Sequence, residues 1–289
     1  MTRLGPATLS GLLAILLWAS LALLTTATRG LPPFAVLALG FGFAAASGFL
    51  RIAWLGRWRE LRQPVPALLL TTTALFGYHA LYFIALKRAP PVEANLLNYL
   101  WPLLIVMFAG LLPGVRVRGL QIVGTLLGLV AAIVLVTRGS SIEVQPRYLP
   151  GYLAAIAAAV IWAAYSVLNR RYAAVPSTAI VLACALVAVL GALAHAAFEE
   201  TVAPSARQWV VLALMGLGPV GAAFLLWDRG TKHGDIAVLG TLSYLAPLLS
   251  TLLLVLAGQA EPHWSQGVAI GLLLSGAWLS VRKSGRPAV

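Results

Sequence analysis

The chain of 289 residues predicts an all-α integral membrane protein of ten transmembrane helices, arranged as two inverted five-helix repeats with both termini cytoplasmic. Three observations carry that expectation. Ten apolar stretches, each roughly 20 residues long, succeed one another along the chain. Basic residues gather on alternate turns, and a motif from the first half returns in the second. A soluble domain could not enclose a composition that is 61% hydrophobic and 10% charged, with a mean hydropathy of +0.92.

A bilayer core about 30 Å thick takes about 20 helical residues to cross. The spans fall at 7–27, 34–54, 66–86, 92–112, 119–137, 149–169, 177–197, 208–227, 236–257 and 264–281. The first could imitate a signal peptide, since Arg3 precedes an apolar run from near Leu12. That run is long, lacks a clear small-residue cleavage site and has a counterpart in the second half, so it is a helix carrying Trp18 and Ser20. Trp54 and Trp58 near the end of span two form part of an interfacial belt, as do Trp209 and Trp264 at the starts of spans eight and ten. Span three offers Tyr78, His79 and Tyr82. Span four places Asn95, Asn98, Tyr99 and Pro102 at i, i+3, i+4 and i+7, on one helical face, with Trp101 beside the proline. Span five holds the G-x-x-x-G pair Gly124 and Gly128, which permits close helix approach.

Span six repeats the four-residue stripe with Trp162, Tyr165, Ser166 and Asn169. Span seven contributes Cys184, the only cysteine, unable to form an internal disulfide and suited to packing. Span nine brings Thr241, Ser243, Tyr244 and Pro247, and span ten a second G-x-x-x-G at Gly267 and Gly271. Two readings fit the polar stripes: hydrogen-bonding glue between helices, or the lining of a pathway that binds a side chain together with amino and carboxyl groups. His79 is divided the same way between a structural histidine and a substrate contact.

Charge sets the orientation. One side of the turns holds Arg3, Arg51, Arg57, Arg59, Arg62, Arg116, Arg118, Arg170, Arg171, Arg229, Lys232, Arg282, Lys283 and Arg286, fourteen cations in all. The other holds Arg29, Lys87, Arg88, Arg138, Arg147 and Arg207, with Glu93, Glu143, Glu199, Glu200 and Glu261. The positive-inside rule therefore places both ends in the cytoplasm. The net charge of +12 is spread over short loops that meet anionic lipid rather than forming a tract for a phosphate backbone, which argues against nucleic acid as a partner.

Shifting the chain by 145 residues lays Leu97-Asn98-Tyr99-Leu100-Trp101-Pro102-Leu103-Leu104 over Leu242-Ser243-Tyr244-Leu245-Ala246-Pro247-Leu248-Leu249, identical at six of eight positions. The same register pairs Lys87 with Lys232 and Tyr82 with Trp227; a slip of two pairs Gly124 with Gly271. This divides the chain into an N-terminal repeat, 1–143, and a C-terminal repeat, 144–289. Five helices per repeat is an odd number, so the halves face opposite ways, the arrangement of transporters that alternate access by exchanging conformations. Pro102 and Pro247 lack the N–H that would bond the carbonyls of Asn98 and Ser243. Such breaks are tolerated in lipid where they face protein or a watery cavity, so the two kinks either pack or line the pathway.

The absent charges narrow the substrate. No Asp, Glu, Lys or Arg lies in the middle third of a span; Glu93, Asp228 and Asp235 fall at ends. A proton-coupled exporter of cations calls for a buried carboxylate, and a carrier of phosphorylated sugars for a buried cation, whereas a neutral or zwitterionic substrate calls for neither. Aromatic rings keep organic cations open. An intramembrane enzyme would need a convergent nucleophile and base or a metal cluster, and none of the four histidines has metal-ligand spacing.

On these residues the chain resembles the drug/metabolite transporter superfamily, specifically the EamA-type ten-helix exporters. The carriers of the resemblance are the two repeats, early tryptophans in spans one and six (Trp18 and Trp162), and the segments ending at Pro102 and Pro247. The run Asn95-Leu-Leu-Asn-Tyr-Leu-Trp-Pro102 is similar to the YddG-type aromatic amino-acid exporters. The resemblance implies a bacterial inner-membrane exporter of aromatic and other neutral amino acids and related metabolites, needing no cofactor or metal. Its central cavity would lie between halves, built from spans one, three, four, six, eight and nine. The alternative is an exporter of cationic or aromatic drugs. The chain lacks the first-span carboxylate of small four-helix multidrug members, which sets their proton-exchange mechanism apart. The residues expected at the cavity are Trp18, Ser20, Tyr78, His79, Tyr82, Asn95, Asn98, Tyr99, Trp101, Trp162, Tyr165, Ser166, Asn169 and Tyr244, shaped by Pro102 and Pro247. Oligomeric state is open.

Overall fold

A computed structural model describes residues 4–141 and 145–281. Arg3, Glu143, Arg282, Lys283 and Arg286, and the division between repeats at 143/144, lie outside the described residues. Among the described residues ten helices are long and apolar enough to cross a membrane. They are α1 (Pro6–Thr26), α2 (Pro33–Leu55), α3 (Val65–Arg88), α4 (Pro91–Ala109), α5 (Gly119–Thr137), α6 (Pro146–Tyr172), α7 (Ser177–Phe198), α8 (Ala206–His233), α9 (Ile236–Leu256) and α10 (Trp264–Val281). Each matches an expected span. The largest difference is α8, which runs to His233 rather than 227 and so carries Asp228 and Lys232 inside a helix.

Local chemistry explains the boundaries. Proline occupies the first turn of α1, α2, α3 and α4, where its missing N–H leaves no orphan donor. Ser205 opens α8 with a reciprocal cap: its N–H donates to Gln208 Oε1 at 2.9 Å, and the Gln208 N–H donates to Ser205 Oγ at 3.3 Å.

Four helices are interrupted. α1 breaks at Ser20, α4 at Tyr99–Leu100 and α9 at Ser243–Tyr244, the last two just before their prolines. The Ser243 carbonyl, expected to lose its helical partner to Pro247, accepts from the Ala246 N–H at 3.1 Å; a tighter turn satisfies it. In α8 a wide π turn over Gly216–Ala222 accommodates Pro219, a break absent from the sequence reading.

The bundle is held by α2 against α7, α5 against α10, α3 against α6 and α1 against α8. A half-chain shift turns the first two pairs into themselves and exchanges the last two. At the α5–α10 crossing, a Cβ on Gly276 would sit 2.5 Å from the Gly124 carbonyl oxygen, so the backbones touch. Gly128 faces the Tyr244 ring. The pair Gly267 and Gly271 faces open space instead. Gly276 lies five and nine residues further along α10, which at 100° per residue puts it across the helix from them.

Leu9, Leu13 and Leu16 line an exposed apolar face of α1, as a helix bathed in lipid requires. Trp54, Trp58, Trp209 and Trp264 are exposed near helix ends, and Trp278 joins them.

Candidate functional site

The centre of the bundle is a cage of four tryptophans from four helices. Trp18 of α1 lies 5.0 Å from Trp227 of α8 and 5.6 Å from Trp162 of α6, measured between ring centroids. Trp101 of α4 meets Trp162 edge-on at 6.4 Å and Trp227 at 6.0 Å, while Trp162 and Trp227 stack at 6.2 Å. These separations and tilts fall where ring quadrupoles attract, worth about 0.5–1.5 kcal/mol per pair beyond area burial. Phe224, one turn before Trp227, extends the cage to Phe41 of α2, stacked at 5.5 Å, and to Trp18 at 5.8 Å.

The α3 residues form a second wall. The Tyr78 ring lies 5.4 Å from Trp162, 6.0 Å from Tyr82 and 5.1 Å from His79, which in turn meets Phe41 at 5.4 Å. His79 Nδ1 is 2.6 Å from the Leu75 carbonyl, so that nitrogen carries the proton and bonds its own helix. Asn98 Nδ2 donates to Tyr78 Oη at 3.1 Å; its Oδ1, buried, makes no hydrogen bond within the protein. Tyr82 Oη donates to Asn95 Oδ1, and Asn95 Nδ2 to the Pro91 carbonyl at 2.7 Å. Trp101, Trp162 and Trp227 are buried, whereas Trp18, Tyr78, His79 and Tyr82 stay partly accessible despite packing against rings of other helices.

The structure thus brings together Trp18, Tyr78, His79, Tyr82, Asn95, Asn98, Trp101, Trp162 and Tyr165, the last 5.5 Å from Trp162 with its hydroxyl unpaired. Tyr99 packs against the neighbouring cluster that holds Tyr244, and Ser20, Ser166, Asn169 and Tyr244 are occupied by bonds within the protein. Ser166 accepts from Trp227 Nε1 at 3.1 Å and donates to the Trp162 carbonyl at 2.8 Å, bracing the cage from behind. Asn169 Nδ2 donates to Asp228 Oδ1 at 2.8 Å. Asp228 Oδ2 lies 2.9 Å from Lys232 Nζ, which also donates to the Val175 carbonyl at 3.0 Å. Tyr244 belongs to a separate cluster with Leu248 and Leu273, and its hydroxyl donates to the carbonyl of Tyr99, its own repeat counterpart, at 3.1 Å. Ser20 Oγ donates back to Leu17 at 2.7 Å, marking the break in α1.

The α6 stripe therefore meets a matching stripe on α8: Trp227, Asp228, Thr231 and Lys232, which the sequence reading did not select. A signal was present in the register that laid Trp227 over Tyr82 and Lys232 over Lys87. Asp228 and Lys232 are the only buried charged residues among those described, and they neutralise each other.

At the arginine-rich end the halves are sewn together. The Asp235 N–H donates to Thr8 Oγ1 at 3.0 Å, Arg118 Nη2 to the Ser280 carbonyl at 3.0 Å, and Thr125 and Thr241 share a 2.7 Å hydrogen bond that Ser280 extends.

The model of the EamA-like transporter family matches residues 5–137 and again 149–282. The aromatic amino acid exporter YddG of Ancylobacter novellus is 49% identical over 275 residues, 94% of this chain and 95% of that one. Its namesake in Escherichia coli is 30% identical over 98% of this chain and 100% of its own length. A crystal structure with 48% sequence identity superposes with a TM-score of 0.91, covering 95% of this chain and 96% of the other.

Proposed function

This chain belongs to the EamA-like transporter family, and from that membership we propose that it exports aromatic and other large neutral amino acids, with related metabolites, by alternating access between two inverted repeats. It is a multi-pass transporter of the bacterial inner membrane, not an enzyme. The observation that carries the substrate reading is the tryptophan cage beside the unpaired Asn98 Oδ1. Stacked rings receive a flat or bulky side chain, Asn98 Oδ1 accepts from an ammonium, and the Tyr78 hydroxyl donates to a carboxylate. Among the described residues the buried pair Asp228 and Lys232 cancels, so it leaves no net charge that demands a charged substrate. The names of the two relatives support the same substrate class.

The inverted repeat is supported by the recurring motif, by the two successive matches to one family model, and by helix pairs that exchange under a half-chain shift. Both termini are cytoplasmic by the positive-inside rule. The sewn arginine-rich end is then the cytoplasmic gate, closed in this conformation.

Counterflow in proteoliposomes tests the reading. Labelled tryptophan, phenylalanine and methionine accumulate above protein-free vesicles, and continue to do so when the pH gradient is collapsed. Competition by quaternary or guanidinium cations, with none by amino acids, would make this a drug exporter instead.

A further inference from the structure

Outside the cytoplasmic gate lies an open cleft of about 490 Å³, within the size range of small-molecule sites. Four segments converge on it. Arg116 and Arg118 come from the α4–α5 turn, Arg170 from the end of α6, and Asp235 with Thr8 from the α8–α9 junction and the start of α1. The arginines along this face serve topology in general. Here they share a cleft with an exposed carboxylate, which inorganic phosphate or an anionic lipid headgroup would not favour.

We propose that this cleft is an entry site that captures the zwitterionic end of the amino acid from the cytoplasm: its carboxylate against the arginines, its ammonium against Asp235. The proposal rests on the amino-acid reading above. The placement suits it. Thr8 and Asp235 line the cleft and also form a gate hydrogen bond, so a ligand here sits directly against the seam that must part for it to reach the cage. Arg170 is held in position by donating to the Thr231 and Gly234 carbonyls at 2.7 and 2.8 Å, and Arg118 by the Ser280 carbonyl. Arg116 is exposed and carries no such structural duty in the seam.

The test uses full-length protein in vesicles of defined orientation, with KM for tryptophan measured from each face. Arg116→Gln is expected to raise the cytoplasmic-face KM about three- to fivefold, the scale of one exposed charge pair. The ratio of maximal rate to KM falls by the same factor from both faces, as detailed balance requires of a carrier that runs without a coupled gradient, and Arg116→Lys restores it. Competitors separate the two ends of the zwitterion. Tryptophanamide, lacking the carboxylate, keeps its inhibition constant in Arg116→Gln, and indole-3-lactate, lacking the ammonium, keeps its own in Asp235→Asn. The asparagine retains the oxygen that accepts from the Val238 N–H. An unchanged tryptophan KM in both variants overturns the entry site. So does an equal shift for zwitterion and amide, or a shift that follows the anionic-lipid content of the vesicle, which would assign the arginines to headgroups. Wild-type protein that moves no amino acid refutes the transport reading itself.

Discussion

Trp227 shows how much one side chain decides at this site. It is fully buried, touches Trp18, Trp101 and Trp162, and its indole N–H is anchored on Ser166, so it fixes the cage that the partly exposed Trp18 completes. Replacing Trp162 with Ala removes the ring shared by both walls and is expected to raise the KM for tryptophan about tenfold, the equivalent of ~1.4 kcal/mol. Transport of methionine falls less, because it loses no ring stacking. Equal losses for both substrates would mean a collapsed site instead of a lost contact. Asp228 and Lys232 make a separate residue-scale prediction. Asp228→Ala leaves a buried lysine without its counter-charge and costs about 3–5 kcal/mol of stability, read as a drop in thermal midpoint in detergent. Replacing both with apolar residues of similar size restores most of that loss; failure to do so would show that the pair does more than cancel.

At the scale of helices, Gly124 and Gly276 set how close α5 and α10 approach. Gly124→Leu is expected to destabilise the protein by at least about 1–3 kcal/mol through overpacking, and Gly271→Leu, facing open space, to leave the thermal midpoint unchanged. The reverse order would contradict the crossing described. The ten spans were legible in the sequence because a hydrocarbon solvent imposes length and composition on every helix. The placement of partners was not. The α6 stripe was visible as a face, but whether Ser166 and Asn169 meet a substrate or a neighbour depends on α8, whose span was ended at 227 just before Asp228. Span ten carried two glycine faces, and only the tertiary packing selects Gly276 over Gly267 and Gly271. The paired prolines did locate the breaks in α4 and α9, since a missing donor acts locally. Pro219 leaves no such mark in the sequence, because the π turn over Gly216–Ala222 absorbs its missing donor within α8.

For the molecule as a whole, the repeat register joins sequence to mechanism: Tyr244 bonds the backbone of Tyr99, its counterpart 145 residues earlier, across the halves. In the mechanism proposed above, two similar halves exchange shapes and so open one end as they close the other. The most direct measurement places spin labels in a Cys184→Ala background. One pair, at Pro113 and His233, spans the arginine-rich end, and a second, at Val92 and Leu256, spans the opposite end. All four positions are exposed. Adding tryptophan is predicted to lengthen the Pro113–His233 distance and shorten the Val92–Leu256 distance in the same population. Distances that move together, or that stay fixed while tryptophan is transported, would contradict alternating access between the two repeats.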